Sequence, residues 1–180
     1  MHGLVSLLPE PFYGQVESIW QELERDFGLV GIWVTPFPHF SWQIAVDYDF
    51  EYTAEIVEKI ARQTPPLLAR TTGLALFTGE NPVIYIPVVK TAALIELHAL
   101  LWERTQEASA GRAAYYAPGA WMPHVSLAYE DVDRGNVGRV MERLAFRAFS
   151  WEMIIDNIAL IAEPTGEIGK LKYRFEFKGT

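Results

Sequence analysis

The pattern Pro-His-x-Ser occurs twice, as Pro38-His39-Phe40-Ser41 and as Pro123-His124-Val125-Ser126, 85 residues apart. Each copy lies in a run of alternating polar and apolar residues, the period-two signature of a β-strand with one buried face. Only four histidines occur in 180 residues, and two of them stand in duplicate strand contexts. That repetition points to a fold with two related halves, each contributing one such strand.

The rest of the chain supports this organisation. Gly3 to Leu8 reads as a short buried strand closed by Pro9 and Pro11. Phe12, Val16, Ile19, Trp20, Leu23 and Phe27 recur at helical spacing before Gly28. Strand-like patterning over Val30 to Asp47 is followed by a helix from about Thr53 to Gln63 and by strands over Leu67 to Leu76 and Val83 to Val89. Thr91 is placed to cap a long helix reaching about Ser109, and a loop from Gly111 to Trp121 leads to the second motif strand, Met122 to Tyr129. A helix from Asn136 to about Phe149 and strands over Trp151 to Ala162 and Leu171 to Phe177 complete the chain. The expectation is an α+β protein, a single domain over residues 1–180, with the boundary between its halves near residues 80 to 92.

Charge and composition narrow the chemistry. The formal net charge of -8 argues against a general basic surface for gripping long nucleic acid, yet it is compatible with a small phosphorylated ligand in a local pocket. The absence of cysteine excludes disulfide partners, thiolate catalysis and cysteine-based metal sites. No Gly-rich nucleotide loop is present, no cofactor is expected, and the opening residues lack a leader or a membrane-length apolar run. The sequence predicts a soluble, cytoplasmic, monomeric chain.

Strand alternation sets His39, Ser41 and Gln43 on one face and Phe40, Trp42 and Ile44 on the other. The second copy sets His124, Ser126 and Ala128 opposite Val125, Leu127 and Tyr129, so Trp42 and Tyr129 are expected in the core. If the polar faces meet across a groove, two imidazoles and two hydroxyls share a pocket. One neutral imidazole can activate water while a protonated one donates to a leaving oxygen, and the hydroxyls can bond the phosphoryl oxygens. His-x-Ser pairs one nitrogen with a poor zinc ligand, so no metal is called for. Elsewhere, Gln43 is a candidate to touch substrate or orient an imidazole. Tyr115, Tyr116 and Trp121 can stack on a base or cover the core. His98 reads as a satisfied core histidine, His2 as solvated, and Arg112 and Lys90 as surface cations.

His39-Phe40-Ser41-Trp42 and His124-Val125-Ser126-Leu127 resemble the paired His-x-Thr/Ser-x motifs of the 2H phosphoesterase superfamily, which includes the 2'-5' RNA ligase-like proteins and the RNA 2',3'-cyclic phosphodiesterases. The similarity runs in order along essentially the whole chain. It implies a bilobal fold with two pseudo-symmetric lobes of mostly antiparallel sheet, helices outside and a central cleft. It implies an enzyme that opens cyclic phosphodiesters of nucleotides or RNA ends, with Ser41 and Ser126 on the phosphoryl oxygens. His39 takes the place of the general acid and His124 that of the base, or the reverse. Serine replaces the commoner threonine. The chain reads Ala128-Tyr129-Glu130-Asp131 where many RNA-processing members carry a basic residue. That departure favours a small nucleotide or another phosphoester over an RNA end. The alternatives are a nucleotide sensor without turnover and an RNA end-processing or 2'-5'-joining protein.

Overall fold

In the computed structural model, which describes residues 1–180, the apolar opening segment forms β1 (His2–Leu7) and is followed by helix α1 (Phe12–Phe27). Val16, Ile19, Trp20 and Leu23 make the buried stripe of α1. The helix ends at Gly28, whose φ of 72° is the left-handed conformation that glycine adopts without a Cβ penalty, and the N–H groups of Gly28 and Leu29 donate back to Glu24 and Leu23. A 3₁₀ turn, Gly31–Val34, leads to the first motif strand, β2 (His39–Tyr48). Helix α2 (Phe50–Gln63) starts ahead of the expected Thr53 because the Asp49 carboxylate caps it, accepting from the Tyr52 N–H at 3.0 Å. The stretch read as one strand from Leu67 divides into β3 (Leu67–Arg70) and β4 (Ala75–Phe77), and β5 (Val83–Pro87) follows.

Thr91 caps α3 (Ala92–Arg104) as expected, its hydroxyl accepting from the Leu94 N–H. That helix stops before Ser109 because β6 (Ser109–Arg112) is drawn into the sheet beside β2. A 3₁₀ turn at Ala114–Tyr116 precedes the second motif strand, β7 (His124–Ala128). Helix α4 (Val137–Ala145) and strands β8 (Glu152–Ile155), β9 (Asn157–Ala162) and β10 (Lys170–Glu176) close the chain. The architecture is α+β with antiparallel pairing throughout: a five-stranded sheet ordered β10-β9-β1-β2-β6, a three-stranded sheet ordered β4-β5-β7, and the ribbon β3-β8.

The halves follow the same plan and interlock. In each, a strand leads through a helix to the motif strand, which pairs back onto it: β1 with β2, and β5 with β7. Each half also lends its later strand to the other half's sheet, β4 to β5 and β9 to β1. Helix α1 packs against β7 and α3 against β2. The core between them is filled by large side chains that are almost wholly removed from water, among them Trp20, Phe40, Trp42, Trp121, Ile84, Leu101 and Leu127. Burial of such apolar surface is the main favourable contribution to folding.

Both motif strands carry a bulge at the same place. Val5 pairs with Ser41 and Leu4 with Gln43, leaving Trp42 as an extra residue. Tyr85 pairs with Ser126 and Ile84 with Ala128, leaving Leu127 as the extra residue. A bulge breaks strict alternation and re-aims the side chains beyond it. Ile44 and Tyr129, each five residues past its histidine, therefore turn toward the cleft, where simple alternation put them in the core. Gln43 turns the other way: it is buried, accepts from the Thr105 hydroxyl at 3.1 Å and donates to Ser109 Oγ at 3.4 Å. Its expected place beside His39 and Ser41 is thus corrected to the α3 side of the sheet.

Candidate active site

His39 and His124 open their strands and line one cleft of about 450 Å³ together with Ser41 and Ser126. Each imidazole is fixed in the same way, by a bond from Nδ1 to the carbonyl of the residue two before it: Phe37 for His39, and Met122 at 2.6 Å for His124. A carbonyl only accepts, so Nδ1 carries the proton and the Nε2 lone pair remains free in the neutral ring. The preceding prolines contribute too. The Pro38 carbonyl accepts from the Leu8 N–H at 3.0 Å and the Pro123 carbonyl from the Val88 N–H at 2.9 Å, anchoring each histidine to the neighbouring strand.

The serines are held with the same symmetry. The Trp121 indole N–H donates to the Ser41 carbonyl at 2.9 Å, and the Trp20 indole N–H donates to the Ser126 carbonyl at 3.1 Å. Both acceptors sit at the bulges, so two large core side chains fix the backbone that presents the hydroxyls. Trp121 is buried, stacked 4.0 Å from the His98 ring and 5.4 Å from Trp42. It belongs to the core, which corrects the reading of Trp121 as a surface for a base. His98 is the satisfied core histidine expected, donating from Nε2 to the Tyr116 carbonyl at 3.0 Å.

Desolvation sets the protonation of the pair. Burial lowers the His39 pKa to about 4, opposed by its bond to the Phe37 carbonyl and reinforced by the charge of His124. Burial also holds His124 below the ordinary histidine range, opposed by its bond to Met122. Both rings are therefore neutral near pH 7 in the ligand-free protein. Their surroundings differ, because Phe77 and Tyr85 pack edge-on around His124, with centroids 4.9 and 5.1 Å away. Val5 and Ile161 line the cleft at the corresponding places beside β2.

Tyr115 and Tyr116 also line the cleft. The Tyr115 ring is 61% exposed, and so available at the mouth, whereas Tyr116 is buried. Burial pushes the Tyr116 phenol well above its usual range, partly offset by the nearby Ser41 hydroxyl. Tyr129 is pushed up to about 12, chiefly by burial and then by the charge of Glu130. Two further residues depart from the sequence reading. His2 is partly buried in β1, accepts from the Glu163 N–H at 2.9 Å and packs edge-on against Phe50. Arg112 lies over the Trp102 ring at 4.0 Å and donates to the Trp102 carbonyl, so it is a packed cation rather than a free surface charge.

The acidic stretch after the second motif has a structural explanation. The Asp131 carboxylate accepts from the N–H groups of Val30 at 2.5 Å and Gly31 at 2.7 Å, pinning the first 3₁₀ turn to the end of β7. Approach there is so close that a Cβ on Gly31 would lie 2.1 Å from the Tyr129 carbonyl. Ile32, Val34 and Thr35, which this contact positions, form one wall of the cleft. No lysine or arginine lines the cleft, and Glu163 is its one carboxylate. Glu163 follows β9 and carries no motif or periodicity that would have singled it out. No three His, Asp or Glu side chains anywhere in the molecule converge as a metal-binding group. No helix is long and apolar enough to cross a membrane.

Paired histidines and serines on bulged strands thus line one cleft of an antiparallel α+β fold. The chain belongs to the 2'-5' RNA ligase superfamily, whose family model matches residues 8–167. It is 25% identical over 133 residues to the Oceanobacillus iheyensis protein named "Putative phosphoesterase OB1230", a match covering 72% of this chain and 74% of that protein. The fold is shared with the crystal structure of TT0787 of Thermus thermophilus, at a TM-score of 0.67 and 19% identity over 99% of this chain and 98% of the other. Membership supports a phosphoesterase, 2'-5' RNA ligase-like class of activity.

Proposed function

We propose that the protein is a phosphodiesterase that opens a cyclic 2',3'-type or 2'-linked nucleotide phosphodiester by acid/base catalysis from His39 and His124. The observation that carries this reading is the duplicated constraint on the pair. Each imidazole is tied through Nδ1 to a backbone carbonyl, each has Nε2 free, and each has a serine hydroxyl two residues on in the same cleft. The neutral imidazole takes a proton from water as the water oxygen bonds to phosphorus. The protonated imidazole gives its proton to the ribose oxygen as the P–O bond breaks, and the two rings re-equilibrate with solvent afterwards. The family resemblance assigns the acid to His39 and the base to His124, and the near-symmetry of the site allows the exchange of roles. Ser41 and Ser126 donate to the non-bridging oxygens, where negative charge accumulates. No step requires a metal or a cofactor.

An incoming phosphodiester anion supplies the field that raises an imidazole pKa and charges the acid. A cleft without lysine or arginine suits a singly charged diester better than a polyanionic strand. Hydrolysis of nucleoside 2',3'-cyclic phosphates in chelator tests the proposal, comparing wild type with His39→Ala and His124→Ala. Loss of at least about 100-fold in both variants is expected for removal of a general acid or base. Full activity in either variant, or activity only when a divalent metal is added, would refute it.

A further inference from the structure

Glu163 is the cleft's one carboxylate, and it is held on several sides. The Thr35 hydroxyl donates to its Oε2, its backbone N–H donates to His2 Nδ1, and the Gly169 N–H donates to the Val34 carbonyl at 2.7 Å behind Thr35. It has no side-chain ion-pair partner. Tyr115 and Tyr129 line the same cleft as this carboxylate. The Met1 ammonium donates to the Glu163 backbone carbonyl at 3.0 Å but makes no ion pair with the carboxylate, which repels phosphate, so this end of the cleft suits a different part of the substrate from the one held by the histidines and serines. The Tyr115 ring, exposed in the same cleft and 5.0 Å from the Tyr116 ring, offers a flat face for a planar group.

We propose that Glu163, positioned by Thr35, reads the base of the nucleotide and selects guanine; this rests on the phosphodiesterase reading above. A carboxylate is an acceptor on both oxygens. Guanine offers two adjacent donors on one edge, N1–H and the N2 amino group, matching a carboxylate as a planar pair. Adenine and cytosine set an amino group beside a ring acceptor, and uracil sets one N–H between two carbonyls, so each brings an acceptor against Glu163. Charge-assisted bonds of this kind are among the stronger polar contacts, and a site built for them discriminates sharply against a ligand that leaves them unmade.

The test uses the full chain and the 2',3'-cyclic phosphates of guanosine, adenosine, cytidine and uridine, with Glu163→Gln and Thr35→Val as variants. Melting-temperature shifts with guanosine and uridine 2'-monophosphates report binding without turnover. Wild type is expected to favour guanosine over uridine by about 10- to 100-fold in kcat/KM. Glu163→Gln should collapse that ratio, and Thr35→Val should give an intermediate one. Turnover of all four substrates at similar rates would overturn the base-reading inference and leave the phosphodiesterase reading standing. No turnover, but stabilisation by the guanosine nucleotide that Glu163→Gln removes, would support base recognition and overturn the proposed reaction. Absence of both turnover and guanosine-selective stabilisation would overturn both.

Discussion

Replacing His39 with glutamine removes an imidazole that the fold resists charging, and the pH dependence of stability should flatten accordingly. Burial sets the folded-state pKa of His39 at about 4, against 6.5 for an ordinary histidine. Between those values the unfolded chain binds a proton that the folded chain does not, so stability rises with pH across the window. The contribution is fully present above 6.5 and is lost progressively as pH falls toward 4. At ~1.4 kcal/mol per pH unit the whole gap corresponds to about 3 kcal/mol. One edge of the ring meets the cleft, so solvent screening brings the expected loss between about pH 7.5 and about pH 4.5 to ~2 kcal/mol. Urea unfolding of wild type and His39→Gln at the two pH values isolates this quantity. The pH-independent cost of losing the bond to Phe37 and the titration of groups not coupled to His39 cancel in the double difference. Wild type should lose ~2 kcal/mol more than the variant on acidification. Profiles parallel within about 0.5 kcal/mol would refute the desolvation argument.

Two further outcomes follow from the same geometry. The active pair carries one proton, and both imidazoles titrate below the ordinary value of 6.5. The bell-shaped pH profile of kcat/KM should therefore peak on the acid side of that value, falling at higher pH as the pair becomes neutral and toward pH 4 as both imidazoles become charged; a maximum at or above neutrality would contradict this. Gln43→Ala should cost about 1–3 kcal/mol in denaturant stability by emptying a buried site and removing its bonds to buried Thr105 and half-buried Ser109, while KM for a cyclic nucleotide is unchanged. A raised KM with unaltered stability would place Gln43 in the cleft after all.

The histidines and serines were legible because duplication is a long-range signal that survives local irregularity. His39, Ser41, His124 and Ser126 do converge on one cleft, as the repeated Pro-His-x-Ser pattern led one to expect. Gln43, Ile44 and Tyr129 were placed on the wrong faces for a single reason. Trp42 and Leu127 are ordinary strand residues, and nothing local announces that each is unmatched by its neighbouring strand. Most helices were visible in apolar periodicity, and their ends shifted where a cap or strand pairing decided them, as at Asp49 and Ser109. Trp121 read as a loop aromatic beside the motif, and only the tertiary fold puts it between His98 and Trp42. Glu163 was invisible, since its place in the cleft depends on β9 pairing with β1 and on a bond from Thr35, 128 residues away.

The proposed mechanism requires that one phosphoryl group engage His39 and His124 together. Long-range ¹H–¹⁵N spectra of the four imidazoles during titration with a nucleoside 2'-monophosphate test it most directly. The predicted result is that the His39 and His124 resonances move in concert and both titrations shift to higher pH, while His98, enclosed by Trp121 and Trp102, stays in place. A bound nucleotide that leaves either motif histidine unmoved would contradict the shared site.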